Sequence, residues 1–311
     1  MRDKIYLASF LLVAGVFTYA GRGFLARSAL VTWGLTFAGT TAVAVLGMAL
    51  YQVQAQLRLS RRELARKEAE LNFAREVQQA LFPRRFPLDS GLEFSGVCVP
   101  AAGISGDYYD IMELSDGRLA FAVADVSGKG ISAALLMSNV HAGLRILVEA
   151  GHAPAELCRQ LNRHLCRITE AHHFATLFYA EWHRPEQRLT YVNAGHTVPV
   201  LVGARGSQRL ESGGLPIGLL PQACFQAGSA ILEPGDLVVL YSDGITEAGV
   251  LKTEPFGESR LEALIETHRR KPLLEIEREV LNAVRRWSDN EPHDDMTLLL
   301  VRSTAEAREP S

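Results

Sequence analysis

The segment LAFAVADVSGKGISAALL, Leu119–Leu136, decides how the larger part of this chain is read. Leu119–Ala124 reads as a strand, Asp125 ends the apolar run, and VSGKG turns the chain into a helix expected over Ser132–Ala150. An acid at the end of an apolar strand recurs elsewhere. Asp243 closes LVVLYSD and precedes Gly244, while Asp294 and Asp295 stand directly before MTLLLV. Asp107 lies in GISGDYYD, where glycines let the backbone approach a ligand closely.

Further strands are expected at Ala175–Trp182, Leu189–Asn193, Val198–Val202, Leu237–Ser242 and Met296–Val301, and helices at Pro154–Thr169, Ser259–Arg270 and Leu274–Ser288. Short connections such as Arg184–Arg188 favour antiparallel hairpins over crossovers, so the class is α+β.

A single aspartate at a strand end is ordinarily a turn or cap residue. Four of them at the ends of separate segments would repel one another unless a cation gathers them. If they converge, the ligands are oxygen alone, which favours Mg²⁺ or Mn²⁺ over zinc or copper. Two such ions about 3.5 to 4 Å apart can activate a water and neutralise a phosphoryl group, so phosphate-ester hydrolysis is the natural chemistry.

The net charge of -3 hides two unlike parts. Residues 1–62 hold seven Lys/Arg against one acid, or +6, and residues 63–311 hold 25 against 34, or -9. The acidic larger part argues against nucleic acid as a partner. Ile5–Gly21 and Ser28–Val53 are uncharged stretches of 17 and 26 residues, set against the roughly 20 that span a bilayer. They read as a transmembrane hairpin, with a cleaved signal peptide as the alternative for the first. Arg2 and Lys4 before it, and Arg58, Arg61, Arg62, Arg66 and Lys67 after it, place both ends and the large C-terminal part in the cytoplasm. From Gln52 to Leu81 the chain is polar without Gly or Pro, and Leu57, Leu64 and Leu71 recur every seven residues. That is a helix, either a short coiled coil or a solvated helix, ended by Pro83 and Pro87. The expected partition is a hairpin over 1–53, a helical linker over 54–82, a catalytic domain over 83–303 and a disordered tail over 304–311.

Over residues 74–301 the chain resembles the metal-dependent serine/threonine protein phosphatases (PPM), in their bacterial SpoIIE/RsbU branch. The resemblance is carried, in order, by AREVQQALFP, GISGDYYD, DVSGKGISAAL, FATLFY, NAGH, GLPIGL, YSDGITEA, FGESRL and DDMTLLLV. It implies two antiparallel sheets stacked face to face and flanked by helices, an αββα sandwich with two Mn²⁺ or Mg²⁺ ions at one end. By the same resemblance Asp125 bridges both ions, Asp107 and the Val126 carbonyl bind one, and Asp243 and Asp294 bind the other. Asp295, Asp110 and Gly106 would shape loops or hold waters. Ser105 stands where the family has a glycine, and Ser242 where it has Thr, and neither change removes a ligand. Ser127 stands where the eukaryotic branch has His, no phosphate-binding Arg accompanies Asp107, and the general acid is unassigned.

The activity implied is hydrolysis of phosphoserine or phosphothreonine on a protein by a metal-activated water, in an enzyme anchored in the cytoplasmic membrane. The substrate implied is a phosphorylated STAS-domain anti-sigma-factor antagonist, and the linker helix offers a route to a homodimer. Two rivals stand beside it, a catalytically silent scaffold of the same fold and a small-molecule phosphatase. His196 in NAGH reads as a residue that holds its loop, with general acid as the rival role, and His172 and His173 carry no role. Lys129 in SGKG lacks the Gly spacing and following Ser/Thr of a P-loop. Cys98, Cys158, Cys166 and Cys224 lack metal-site spacing and read as reduced core thiols.

Overall fold

The computed structural model describes residues 12–20, 29–87, 90–101, 103–169, 173–249, 254–289 and 293–304. Parts of the first apolar stretch, the connection bearing Arg22 and Arg27, His172 and the tail from residue 305 lie outside the described residues. The chain divides into two compact units, Met1–Glu70 and Leu71–Ser311.

In the first unit residues 12–20 are helical, and helix α1, Ala29–Gln79, runs unbroken into the second unit. The absence of proline lets α1 continue for 51 residues. Many of its described apolar side chains are exposed: Trp33 is 77% exposed, and Phe37, Met48 and Leu57 are likewise bare. From Trp33 onward it contains a window long and apolar enough to cross a bilayer.

The second unit is built on two sheets. One has the order β1 (Leu92–Val99), β11 (Met296–Ser303), β10 (Leu237–Tyr241), β6 (Val200–Gly203), β7 (Gly206–Arg209). The other has the order β2 (Asp107–Glu113), β3 (Leu119–Val126), β4 (Ala175–His183), β5 (Arg188–Ala194), β8 (Gly213–Gly214), with β9 (Gly228–Ile231) also on β5. Pairing is antiparallel except for the two-residue β5–β8 contact, which is parallel.

Strand periodicity explains the layering. On β3, Phe121 and Val123 point into the core between the sheets, joined there by Phe94, Phe178, Trp182, Leu240 and Leu299. Ala120, Ala122 and Ala124 point the other way and admit helices α2 (Ile131–Glu149) and α3 (Pro154–Ile168), which bring Met137, Leu144 and Leu161. On β11, Leu298 and Leu300 face a third core with Leu261, Ile276 and Val280 of α5 (Glu258–His268) and α6 (Leu273–Trp287). The short helix α4 is Asp243–Thr246. The result is the αββα sandwich. Helix α2 is also apolar enough to span a bilayer, but Ala133, Leu136, Met137, Val140, Leu144 and Val148 bury one stripe of it in the domain.

β1 and β2 are additions to the sequence reading, which left their residues unassigned or as a glycine loop. Of the four cysteines only Cys158 is a fully buried core thiol. Cys98 and Cys166 are partly covered and Cys224 is exposed, and all four are free.

Candidate active site

The acids singled out in the sequence are set by strand ends at one end of the sandwich. Asp107 opens β2 and lies directly opposite Asp125 near the end of β3, a register that forces two carboxylates together. Asp243 follows β10 and starts α4, and Asp294 and Asp295 lead into β11. The two sides are tied by backbone contact. A Cβ placed on Gly244 would fall 2.0 Å from the Asp295 carbonyl oxygen, so only glycine fits. The Ser242 hydroxyl adds to this, donating to the Asp295 carbonyl at 3.1 Å and accepting from the Thr297 N–H at 2.9 Å.

Each acid has a different environment. Asp107 is buried, and its Oδ2 has no hydrogen-bond partner. Burial and then the Asp125 charge hold its carboxyl well above the usual range. Asp125 is pushed up to about 7, by burial first and then by the charges of Asp243 and Asp294. Asp243 is raised by burial, then by Glu247 and Asp294. Raised acids facing one another are a store of unfavourable charge that a cation would relieve.

Asp295 is fully engaged in shaping a loop. Its Oδ1 accepts from the Ala101 N–H at 2.8 Å, and its Oδ2 accepts from the Ser105 hydroxyl at 2.8 Å and the Gly106 N–H at 2.7 Å. The same Ser105 Oγ accepts from the Asp107 N–H at 2.9 Å, so the serine that replaces a glycine links the two acids. Asp110 is remote from this chemistry. It is fully buried and accepts from Tyr108 Oη, from Nε and Nη2 of Arg145 on α2, and from the Ile111 N–H. His196 holds its own turn: its N–H donates to Asn193 Oδ1 at 2.8 Å, and Asn193 Nδ2 donates back to its carbonyl at 3.1 Å. Its ring lies 2.8 Å from the Thr176 hydroxyl, and burial lowers its pKa to about 4, which leaves it neutral and withdrawn from solvent.

Three participants were not assigned from sequence. Gln78, near the end of α1, is buried against Ser105. Glu247 stands beside Asp243. Lys129 donates to Asp294 Oδ2 at 2.8 Å. Gln78 falls inside the quoted AREVQQALFP and Lys129 between two glycines, the signals that were available.

Among the described residues no three His, Cys, Asp or Glu already close on one point at ligand distance. The donor set nevertheless fits a hard divalent cation. It is all oxygen, it contains the orphaned and buried Asp107 Oδ2, and Gly106 keeps a cradle open beside the Val126 carbonyl, 3.2 Å from where a Cβ would lie.

The four-layer αββα sandwich is the fold that this chain shares with PP2C-type phosphatase domains. The SiaA PP2C domain of Pseudomonas aeruginosa superposes with a TM-score of 0.69 at 22% identity, covering 77% of this chain and 98% of that one. The RsbU and RsbW domains of a Mycobacterium tuberculosis protein give a TM-score of 0.62 at 25% identity, with 70% and 61% covered. Residues 115–304 match the family model described as Stage II sporulation protein E (SpoIIE). Phosphoserine phosphatase RsbU of Bacillus subtilis is 34% identical over 260 residues, 82% of this chain and 75% of RsbU. The chain belongs to the SpoIIE family, and it is a serine phosphatase of the RsbU/SpoIIE type.

Proposed function

We propose that this protein is a membrane-anchored, divalent-metal-dependent phosphatase that removes phosphate from serine or threonine of a STAS-domain anti-sigma-factor antagonist. The observation that carries the chemistry is the Asp107–Asp125 pair, facing each other in register with a buried, unpartnered oxygen between elements that glycines keep open. Asp107, Asp125 and the Val126 carbonyl would hold one Mn²⁺ or Mg²⁺, and Asp125, Asp243 and Asp294 a second. When bound, such ions supply an acidified water and offset phosphoryl charge. The chain's own part is to fix the acids: Ser242 and Asp295 lock the two loops, and Gly244 lets them meet.

Similarity to RsbU supports a phosphoprotein substrate, and the pairing of RsbU and RsbW domains in one solved chain supports placement in a partner-switching system. The bare apolar stretch of α1 and the basic flank after it support a multi-pass anchor in the cytoplasmic membrane with the phosphatase inside. Leu57, Leu64 and Leu71, exposed at seven-residue spacing, support a dimer through the linker. On this reading the hairpin covers 1–53, the linker 54–82, the phosphatase 83–303 and a tail 304–311.

The test is hydrolysis by the purified protein with Mn²⁺ of an aryl phosphate, a phosphorylated STAS protein and nucleotides. The phosphoprotein is expected to win, and Asp125→Ala and Asp243→Asn each to lower turnover by about a hundredfold or more. Activity undiminished by both substitutions refutes the site, and preference for nucleotides refutes the substrate.

A further inference from the structure

Lys129 sits between two glycines in left-handed backbone, Gly128 (φ 99°) and Gly130 (φ 73°), where open space surrounds both. Its ammonium reaches Asp294 Oδ2 at 2.8 Å and the His293 carbonyl at 3.0 Å, while 68% of the side chain stays in solvent. It is a compact charge on a flexible stem beside Asp294, Asp295 and Asp243. Among the described residues it is the basic side chain ion-paired with that cluster.

The charge balance gives this position a purpose. Asp107, Asp125, Asp243, Asp294 and Asp295 with two divalent cations leave a formal charge of about -1, whereas a phosphomonoester brings nearly -2. A substrate of that charge needs a cation in reach of its outer oxygens, and Lys129 already places one on Asp294. Helix α2, which starts two residues after Lys129, has no acid in its first turn and no side-chain cap, so its positive end adds to the same field.

We propose that Lys129 binds the substrate's phosphoryl group, its ammonium exchanging the Asp294 carboxylate for a non-bridging phosphoryl oxygen. This rests on the phosphatase reading of the site and names the side chain that recognises its substrate's charge.

The experiment uses the full chain in detergent and inorganic phosphate as probe, with binding measured by calorimetry at saturating Mn²⁺ and Mn²⁺ binding measured separately. Lys129→Ala is expected to weaken phosphate binding about tenfold or more, the scale of a charged hydrogen bond. KM for a phosphopeptide rises by a similar factor with a smaller change in kcat, Mn²⁺ affinity is not reduced, and Lys129→Arg restores phosphate binding. Unchanged phosphate affinity in Lys129→Ala overturns the proposal. A loss confined to Mn²⁺ affinity also overturns it, because the lysine would then only brace Asp294. Phosphate binding is read without turnover, so a parent protein that binds phosphate but hydrolyses no phosphoprotein counts against the phosphatase reading and leaves the lysine standing.

Discussion

Gln78 and Ser105 exchange two hydrogen bonds, Gln78 Nε2 donating to the Ser105 carbonyl at 2.7 Å and Gln78 Oε1 accepting from the Ser105 N–H at 2.8 Å. Nearby, Arg75 Nε donates to the Gly103 carbonyl at 2.5 Å. The end of α1 is therefore hydrogen-bonded to the loop that leads into Asp107, at the same serine whose hydroxyl holds Asp295. Removing the amide leaves two buried backbone groups unpaired, each at a cost of about 1 to 3 kcal/mol. Gln78→Ala is expected to weaken Mn²⁺ activation severalfold while kcat at saturating metal changes little, as read from activity titrated with Mn²⁺. Equal metal dependence in both proteins would show that α1 does not govern this loop.

The facing acids predict effects of opposite sign on turnover and stability. Asp125→Ala should lower kcat/KM by about a hundredfold or more, the scale seen when a preorganised electrostatic group is lost. In EDTA the same variant should melt higher than the parent, since a like charge has been removed from a buried cluster. A lower melting temperature in EDTA would mean that the carboxylates do not strain the metal-free fold.

Proton linkage gives a third expectation. The Asp125 carboxyl, ordinarily near 3.8, is held at about 7 in the folded protein. Between about pH 4 and 7 the native state thus binds more protons than the unfolded state, and its stability falls as pH rises through that window. Asp125→Asn removes this dependence. In EDTA its melting temperature should gain on the parent's from pH 5 to pH 7.5, and a gap that narrows over that range would reverse the assignment.

Asp110 and Arg145 supply a control outside the chemistry. Arg145→Leu strips the bidentate partner from a fully buried carboxylate, a change expected to destabilise by about 3 kcal/mol, at the low end for a buried pair because Arg145 is itself half exposed. The double variant Arg145→Leu with Asp110→Asn should recover part of that loss in denaturant unfolding. A double variant no more stable than the single one would deny the pairing its role.

Where the sequence carries periodicity, it locates the elements well. The ends of α2, α3, β3 and β4 lie within two residues of the expected ones because their apolar positions repeat at helical or strand spacing. Asp125 and Asp243 were legible because each interrupts an apolar run beside a glycine. β2 was not, since Asp107 and Asp110 occupy buried positions and break the alternation that marks a strand. The partner that makes Asp110 tolerable, Arg145, is 35 residues away on a helix. The resemblance sets Asp295 apart from Asp294 as a residue that shapes loops or holds waters, and its contacts to Ala101, Ser105 and Gly106, about 190 residues upstream, supply the physical form of that role, which no local pattern carries. The strands β7, β8 and β9 span four, two and four residues, too few for any period to appear.

β11 lies between β1 and β10, and Asp294 and Asp295 stand at its entrance. The strand that completes one sheet is also the last of the described elements to leave the ribosome. Until it does, β1 and β10 have no shared neighbour, and Ala101, Ser105 and Gly106 lack the Asp295 carboxylate that clamps them. Assembly of the acid cluster is therefore coupled to closure of this sheet: the strand that joins β1 to β10 is the one that carries Asp294 and Asp295 to the other acids.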